Sequence, residues 1–209
     1  ASQSAGHTPI DCQALGVDLL ATAAHKGLLG PAGTGLLYVK PGIEAELRPM
    51  RQGGTGVESQ LDRQPDELPA RYEAGSLNAP ALAGLAAAAK YLRDRTIADI
   101  AAHEVNIMQR LSDGLQTIDR VRIYGPGPGQ RRGPVVSFSV EGYDPQDFAA
   151  ALDGSFGVQC RAGLHCAPLM HKALGTDKLG GLVRLSPGWS TTTVEIDRAI
   201  EAIAALASA

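Results

Sequence analysis

Apolar positions fall into short runs in the first part of the chain and into helical spacing later on. Residues 17–23 (VDLLATA) and 36–40 (LLYVK) carry few polar interruptions, and each predicts a strand. Runs this continuous predict strands buried on both faces rather than a half-exposed hairpin. A short helical turn over residues 12–16 precedes the first strand, and Pro41-Gly42 closes the second. Between the strands, GLLGPAGTG at residues 27–35 reads as a glycine-rich loop. Residues 48–70 are rich in turn formers and charges and predict a long irregular excursion, which in a compact domain is usually functional or an interface. Residues 79–93 place Leu82, Leu85, Ala89 and Leu92 on one helical face. Residues 97–118 do the same with Ile100, Ile107, Leu111 and Leu115.

The second half alternates strands and helices. Residues 121–124, 135–140, 158–161 and 183–186 read as strands, and 125–133 as a turn-rich loop. Residues 144–152 predict a helix with Asp144 as N-cap and Pro145 at its first position. A short helix is expected over 168–174. A closing helix over 192–207 has Thr192 as N-cap and Glu195 three residues on, the spacing of a capping box. This order predicts an α/β chain with one unit over residues 1–95, a small α+β unit over 96–209, and a hinge near 93–97.

At 209 residues the chain is long enough to bury a core, and its 44% hydrophobic and 20% charged content is that of a globular protein. No apolar run reaches the roughly 18 residues of a membrane span. The start of the chain, ASQSAGHTPID, has neither the basic region nor the apolar stretch of a signal peptide. A net charge of −3 with scattered basic residues argues against a nucleic-acid partner. Three cysteines argue for a reducing compartment, with the cytoplasm expected, rather than a disulfide framework.

Three residues stand out chemically. Lys26 follows a strand and precedes the glycine-rich loop. A lysine desolvated at a strand end can condense with an aldehyde, although a solvated loop lysine is the plain alternative. Beside it, His25 is a potential anion contact. Cys166 lies between a strand and the 168–174 helix, next to His165 and near Arg161, surroundings that favour a thiolate; an inert buried cysteine is its alternative. Arg184 interrupts an apolar strand, where an anion would satisfy it, unless it snorkels from an edge. Cys160, His165, Cys166 and His171 also allow a zinc reading, but the C-x4-H-C-x4-H spacing is poor and no C-x2-C clip exists.

Taken together, the blocks QSAGHTPIDCQALGVD, AAHKGLLGPAGTGLLYV, RQGGTG, RYEAGSLNAPALAGL, YGP, RAGLHCAPLMHKALGT and VRLSPGW-to-EID cover essentially the whole chain. In this order they resemble the cysteine desulfurases and selenocysteine lyases of the class V aminotransferases, which are fold type I pyridoxal-phosphate enzymes. The resemblance implies the C-terminal half of the large cofactor-binding domain over 1–95 and the small α+β domain over 96–209. It implies that Lys26 carries pyridoxal 5'-phosphate on its amine, that Gln3 bonds the cofactor's phenolic oxygen and that His25 lies near its phosphate. The turn at 53–56 and the block at 71–79, with Ser76 as the best contact, would sit at a homodimer interface beside the partner subunit's cofactor phosphate. Arg184, with Arg161 beside it, would bind the substrate carboxylate, and Cys166 would take sulfur from L-cysteine as a persulfide, releasing L-alanine. A sulfur-acceptor protein, in iron–sulfur cluster or thio-cofactor assembly, would follow. With L-selenocysteine, selenium would leave without the same need for Cys166.

Several departures bear on this expectation. The family extends ahead of residue 1, where an Asp partners the pyridine nitrogen and a His stacks on the cofactor, so the chain is expected to be a fragment. Ala23 and Ala79 stand where relatives place phosphate-binding hydroxyls, which implies weaker phosphate anchoring. Two other readings stay open: a class V aminotransferase or lyase that does not use the cysteine, and a truncated non-catalytic piece that only associates with another chain.

Overall fold

Strand β1 (Leu19–Ala23) pairs antiparallel with β2 (Gly35–Val39), Ala21 opposite Leu37, in the first of two units, Ala1–Ala98 and Asp99–Ala209. This computed structural model describes residues 1–54, 56, 58, 60–127, 130 and 132–208. This antiparallel pairing, with its exposed leucines, corrects the expectation of strands buried on both faces rather than a half-exposed hairpin. Leu19, Leu36 and Leu37 are 45%, 52% and 50% exposed. Apolar residues on both faces specify double burial only where something lies against both faces, and the sheet here has two strands.

No helix or strand occurs among the described residues between β2 and a 3-10 turn at Ala70–Tyr72, so the irregular excursion is real. Helix α1 (Ala79–Arg95) starts where the Asn78 side chain accepts the Ala81 N–H, with proline in its first turn. Leu85 and Leu92 are buried, but Leu82 and Ala89 are exposed, so its covered stripe is narrower than the sequence suggests. Thr96, at φ 64°, separates α1 from α2 (Ile97–Gln116).

The second unit is a four-stranded antiparallel sheet in the order β3 (Val121–Tyr124), β4 (Val136–Val140), β6 (Leu182–Leu185), β5 (Arg161–Gly163). Val136, Phe138 and Val140 alternate with Ser137 and Ser139, so one face of β4 enters the core. That core takes Ile107, Leu111 and Leu115 from α2, Phe148 and Leu152 from α3 (Pro145–Phe156), and Ile196 and Ile203 from α5 (Thr193–Ala207). Phe148 meets Phe138 and Tyr143 edge to face, at centroid distances of 6.3 and 5.2 Å. Asp144 caps α3 by accepting from the N–H groups of Gln146 and Asp147, and Thr192 with Glu195 forms the expected capping box on α5.

The strand expected at 158–161 lies later, at Arg161–Gly163. Gly157, in the left-handed conformation, ends α3, and the Val158 N–H donates to Leu152 of that helix. Residues 158–160 therefore return along the helix end, and pairing begins only where Arg161 comes opposite Arg184.

Phe148→Ala should cost about 3–5 kcal/mol of second-unit stability. Asp144→Ala should cost about 1 kcal/mol. Urea unfolding checks both, and equal losses would contradict this packing hierarchy.

Candidate active site

In the first unit, the segment from Ala1 runs alongside β1 and the start of the following loop. The Ala1 nitrogen donates to the Ala21 carbonyl at 2.7 Å, and the Ala23 N–H donates to Ser2 Oγ at 3.0 Å. Further on, Gly6 and Gly27 pass so closely that a Cβ on Gly6 would lie 1.9 Å from the Gly27 carbonyl oxygen. The contacts advance together, so the backbone of Gln3 lies beside the stretch that carries His25 and Lys26. Gln3, His25 and Lys26 all have exposed side chains. Lys26 follows directly on buried Ala24 and exposed His25, and its turn closes when the Leu29 N–H donates to the Lys26 carbonyl at 2.9 Å. Lys40 and Lys90 instead spend their amines on Asp18 and Asp94, at 2.9 and 2.6 Å.

These features fit the aldehyde end of a pyridoxal cofactor. A reachable amine sits at the end of a strand, in a turn pinned by a backbone clasp. The fit is poorer at the phosphate end. Ala23 has no hydroxyl, and the Thr22 hydroxyl, in a buried residue, donates to the Ala23 carbonyl at 3.3 Å.

Ser76 lines a different groove, of about 600 Å³, with Gly54, Gly56, Glu73 and Leu77. The Gly75 N–H donates to the Gly54 carbonyl at 2.7 Å, and buried Gln64 donates to that of Gly53 at 3.0 Å. The turn at 53–56 and the block at 71–79 are therefore one local structure. Thr55 lies outside the described residues.

The second unit joins Arg161, Cys166 and Arg184. Arg161 on β5 is directly opposite Arg184 on β6, so both guanidinium groups leave one sheet face. Arg161 Nη2 donates to Cys166 Sγ at 3.1 Å, and Arg184 Nε donates to Ser186 Oγ at 3.0 Å. Burial pushes Arg184 below the ordinary arginine range, and the like charge of Arg161 adds to this. Two cations opposed across a sheet repel each other, and a carboxylate lying between them would relieve both costs. His165 donates from Nε2 to the Arg161 carbonyl at 3.1 Å; burial lowers its pKa first, opposed by that hydrogen bond.

His165 and Cys166 both have positive φ, 52° and 60°. For non-glycine residues such backbone costs of the order of 1–3 kcal/mol each, so the surrounding structure must hold it. Cys160 makes a useful contrast. Its thiol is half-buried, and burial, with the Asp153 carboxylate behind it, pushes its pKa up. Among the described residues, no three His, Cys, Asp or Glu side chains gather where they could hold a metal ion.

Several contributors were missed in the sequence. Neither the Gly6–Gly27 clasp nor the Gly163–Gly181 approach, where a Cβ on Gly181 would lie 2.3 Å from Gly163 backbone atoms, has a local signature. Glycine at 163 and paired glycines at 180 and 181 were the available signal. Buried His171 enters the sequence reading only through the zinc alternative, and buried Thr176 has no reading of its own there.

Iodoacetamide near neutral pH should label Cys166, which is exposed, before Cys160. Peptide mass spectrometry reads the order, and preferential labelling of Cys160 would contradict this geometry. His165 has a folded pKa below 6.5, so the unfolded chain takes that proton first. Stability from this group is complete above 6.5 and falls as pH drops toward the folded pKa. Urea midpoints should therefore decline less over that interval in His165→Gln than in the parent; equal declines would contradict the assignment.

The class-V aminotransferase family model matches residues 1–199. A probable cysteine desulfurase of Methanothermobacter thermautotrophicus is 37% identical over 201 residues, which are 94% of this chain and 49% of the relative. Probable cysteine desulfurase 2 of Mycobacterium leprae is 37% identical over 205 residues, 97% of this chain and 48% of the relative. The solved apo cysteine desulfurase of Thermococcus onnurineus superposes with a TM-score of 0.91 at 34% identity, covering 100% of this chain and 51% of that one. The chain thus spans about half the length of the relatives it matches. With a family match along nearly its whole length, this α/β chain belongs to the class-V aminotransferases.

Proposed function

We propose that this chain supplies the lysine-bearing and cysteine-bearing parts of a pyridoxal-phosphate-dependent cysteine desulfurase. The observation that carries the reading is the placement of Cys166 Sγ 3.1 Å from Arg161 Nη2, with Arg184 directly opposite Arg161 on the next strand. A sulfur nucleophile beside a carboxylate-binding pair suits an amino acid whose side chain ends in sulfur. Relatives named cysteine desulfurase support the same reading.

Lys26 would hold the cofactor through its amine, Gln3 would bond its phenolic oxygen, and His25 would stand near its phosphate. When bound, that cofactor draws electrons from the substrate α-carbon. Arg184 and Arg161 bind the α-carboxylate and orient the substrate. The Lys26 amine takes the α-proton and returns a proton to the carbon skeleton. Cys166, as thiolate, attacks the substrate sulfur: the new S–S bond forms as the C–S bond breaks, the bond pair stays on the β-carbon, which takes up the proton the substrate thiol gives up, and the persulfide is left on Cys166 as L-alanine leaves. The persulfide then passes sulfur to an acceptor protein. Ser76 and the turn at 53–56 would serve a homodimer interface. The exposed sulfur favours cysteine over a transamination that ignores Cys166.

Alanine formation from L-cysteine by the cofactor-loaded protein, under reductant, tests the proposal. Lys26→Ala and Cys166→Ser should each abolish it. Undiminished alanine from Cys166→Ser would refute the sulfur-acceptor role. L-Selenocysteine separates the two substrates, because its cleavage should survive Cys166→Ser.

A further inference from the structure

We propose that His171 is a positioning residue that, through His165, holds the strained loop carrying Cys166 in its sulfur-accepting geometry. The proposal rests on the desulfurase reading and extends it to a residue that touches no substrate. His165 and Cys166, at φ 52° and 60°, are consecutive non-glycine residues in the left-handed region. Neither holds that backbone through its own preference, so the restraint comes from neighbours.

Those neighbours form a closed circuit. The Ala167 N–H donates to the Leu164 carbonyl at 2.8 Å, making the loop a tight turn. The His165 ring anchors one side by donating to the Arg161 carbonyl and packs its other side on the His171 ring, edge to face at 5.5 Å. His171 lies on helix α4 (Pro168–Leu174), is 4% exposed, and its Nδ1 shares a hydrogen bond of 2.8 Å with Thr176 Oγ1. Thr176, 1% exposed, receives the Gly181 N–H on its carbonyl at 3.0 Å, just ahead of β6. Gly181 and Gly163 meet backbone to backbone, which returns the path to the residue before the loop.

The His171–Thr176 pair therefore joins the cysteine loop to the strand that bears Arg184. A buried hydrogen-bonded pair of this kind is stiff: the Thr176 hydroxyl also donates to the His171 carbonyl at 3.4 Å, and removing that hydroxyl would leave His171 Nδ1 without this partner. An apolar residue at 171 would fill the space but could not fix the ring plane on which His165 packs. Cys166 Sγ then sits where the Arg161 guanidinium reaches it, at 3.1 Å.

The test uses the cofactor-loaded protein and the variants His171→Ala, Thr176→Val and Thr176→Ser. With L-cysteine, His171→Ala and Thr176→Val should lower kcat ~10- to 100-fold, the scale of a misplaced reacting atom, with KM unchanged because both arginines remain. Thr176→Ser, which keeps the hydroxyl, should restore the parent rate. Hydrogen exchange supplies a readout independent of activity: the Ala167 amide should exchange faster in the two impaired variants, while the Phe148 amide keeps its protection. Unchanged Ala167 exchange, or a KM that rises in step with the loss of rate, would overturn the proposal. Thr176→Val covers the case in which His171→Ala fails to fold. A parent-like rate in Cys166→Ser would instead sink the desulfurase reading, leaving the exchange result to judge the anchoring by itself.

Discussion

The opposition of Arg161 and Arg184 across β5 and β6 is the constraint on which the chemistry of the second unit depends. Two guanidinium groups on one sheet face are unfavourable without an anion, and Arg184 carries a burial cost as well. An anion lying between them would relieve both costs. The register that creates it also sets where β5 starts, and so where the loop to Cys166 leaves the sheet. One pairing thereby sets where Arg161 and Arg184 stand and where the loop that carries Cys166 begins.

The first unit solves a different problem. The role proposed for Lys26 needs an amine that can be reached on a backbone that does not wander. The close passage of Gly6 against Gly27 pins the chain immediately after Lys26, while the side chain itself stays exposed. Rigidity sits in the backbone and freedom in the side chain. The exposed leucines of β1 and β2 belong to a sheet that has two strands, in a chain spanning about half of its relatives.

Local chemistry was legible in the sequence where a few adjacent residues decide the outcome. Asp144-Pro145 and Thr192 with Glu195 announce helix starts through side chains that satisfy nearby N–H groups, and both occur as read. The spacing of Ile100, Ile107, Leu111 and Leu115 revealed the buried face of α2. What failed depends on distant partners. Whether β1 and β2 are covered is decided by what lies against them, not by their own composition. Strand β5 was misplaced because Val158 to Cys160 are apolar enough for a strand but are taken by the end of α3. Lys26, Cys166 and Arg184 stand out in the sequence through residue type and flanking pattern, whereas the link between His171 and Thr176 forms only once α4 folds back on the loop.

The central claim is that Cys166 receives sulfur from the substrate, and the most direct measurement is the mass of the Cys166 peptide after a single turnover. Cofactor-loaded protein mixed with one equivalent of L-cysteine, quenched and alkylated, should show one additional sulfur atom on that peptide and none on those containing Cys12 or Cys160. Alanine released with no added sulfur on the Cys166 peptide would contradict the account.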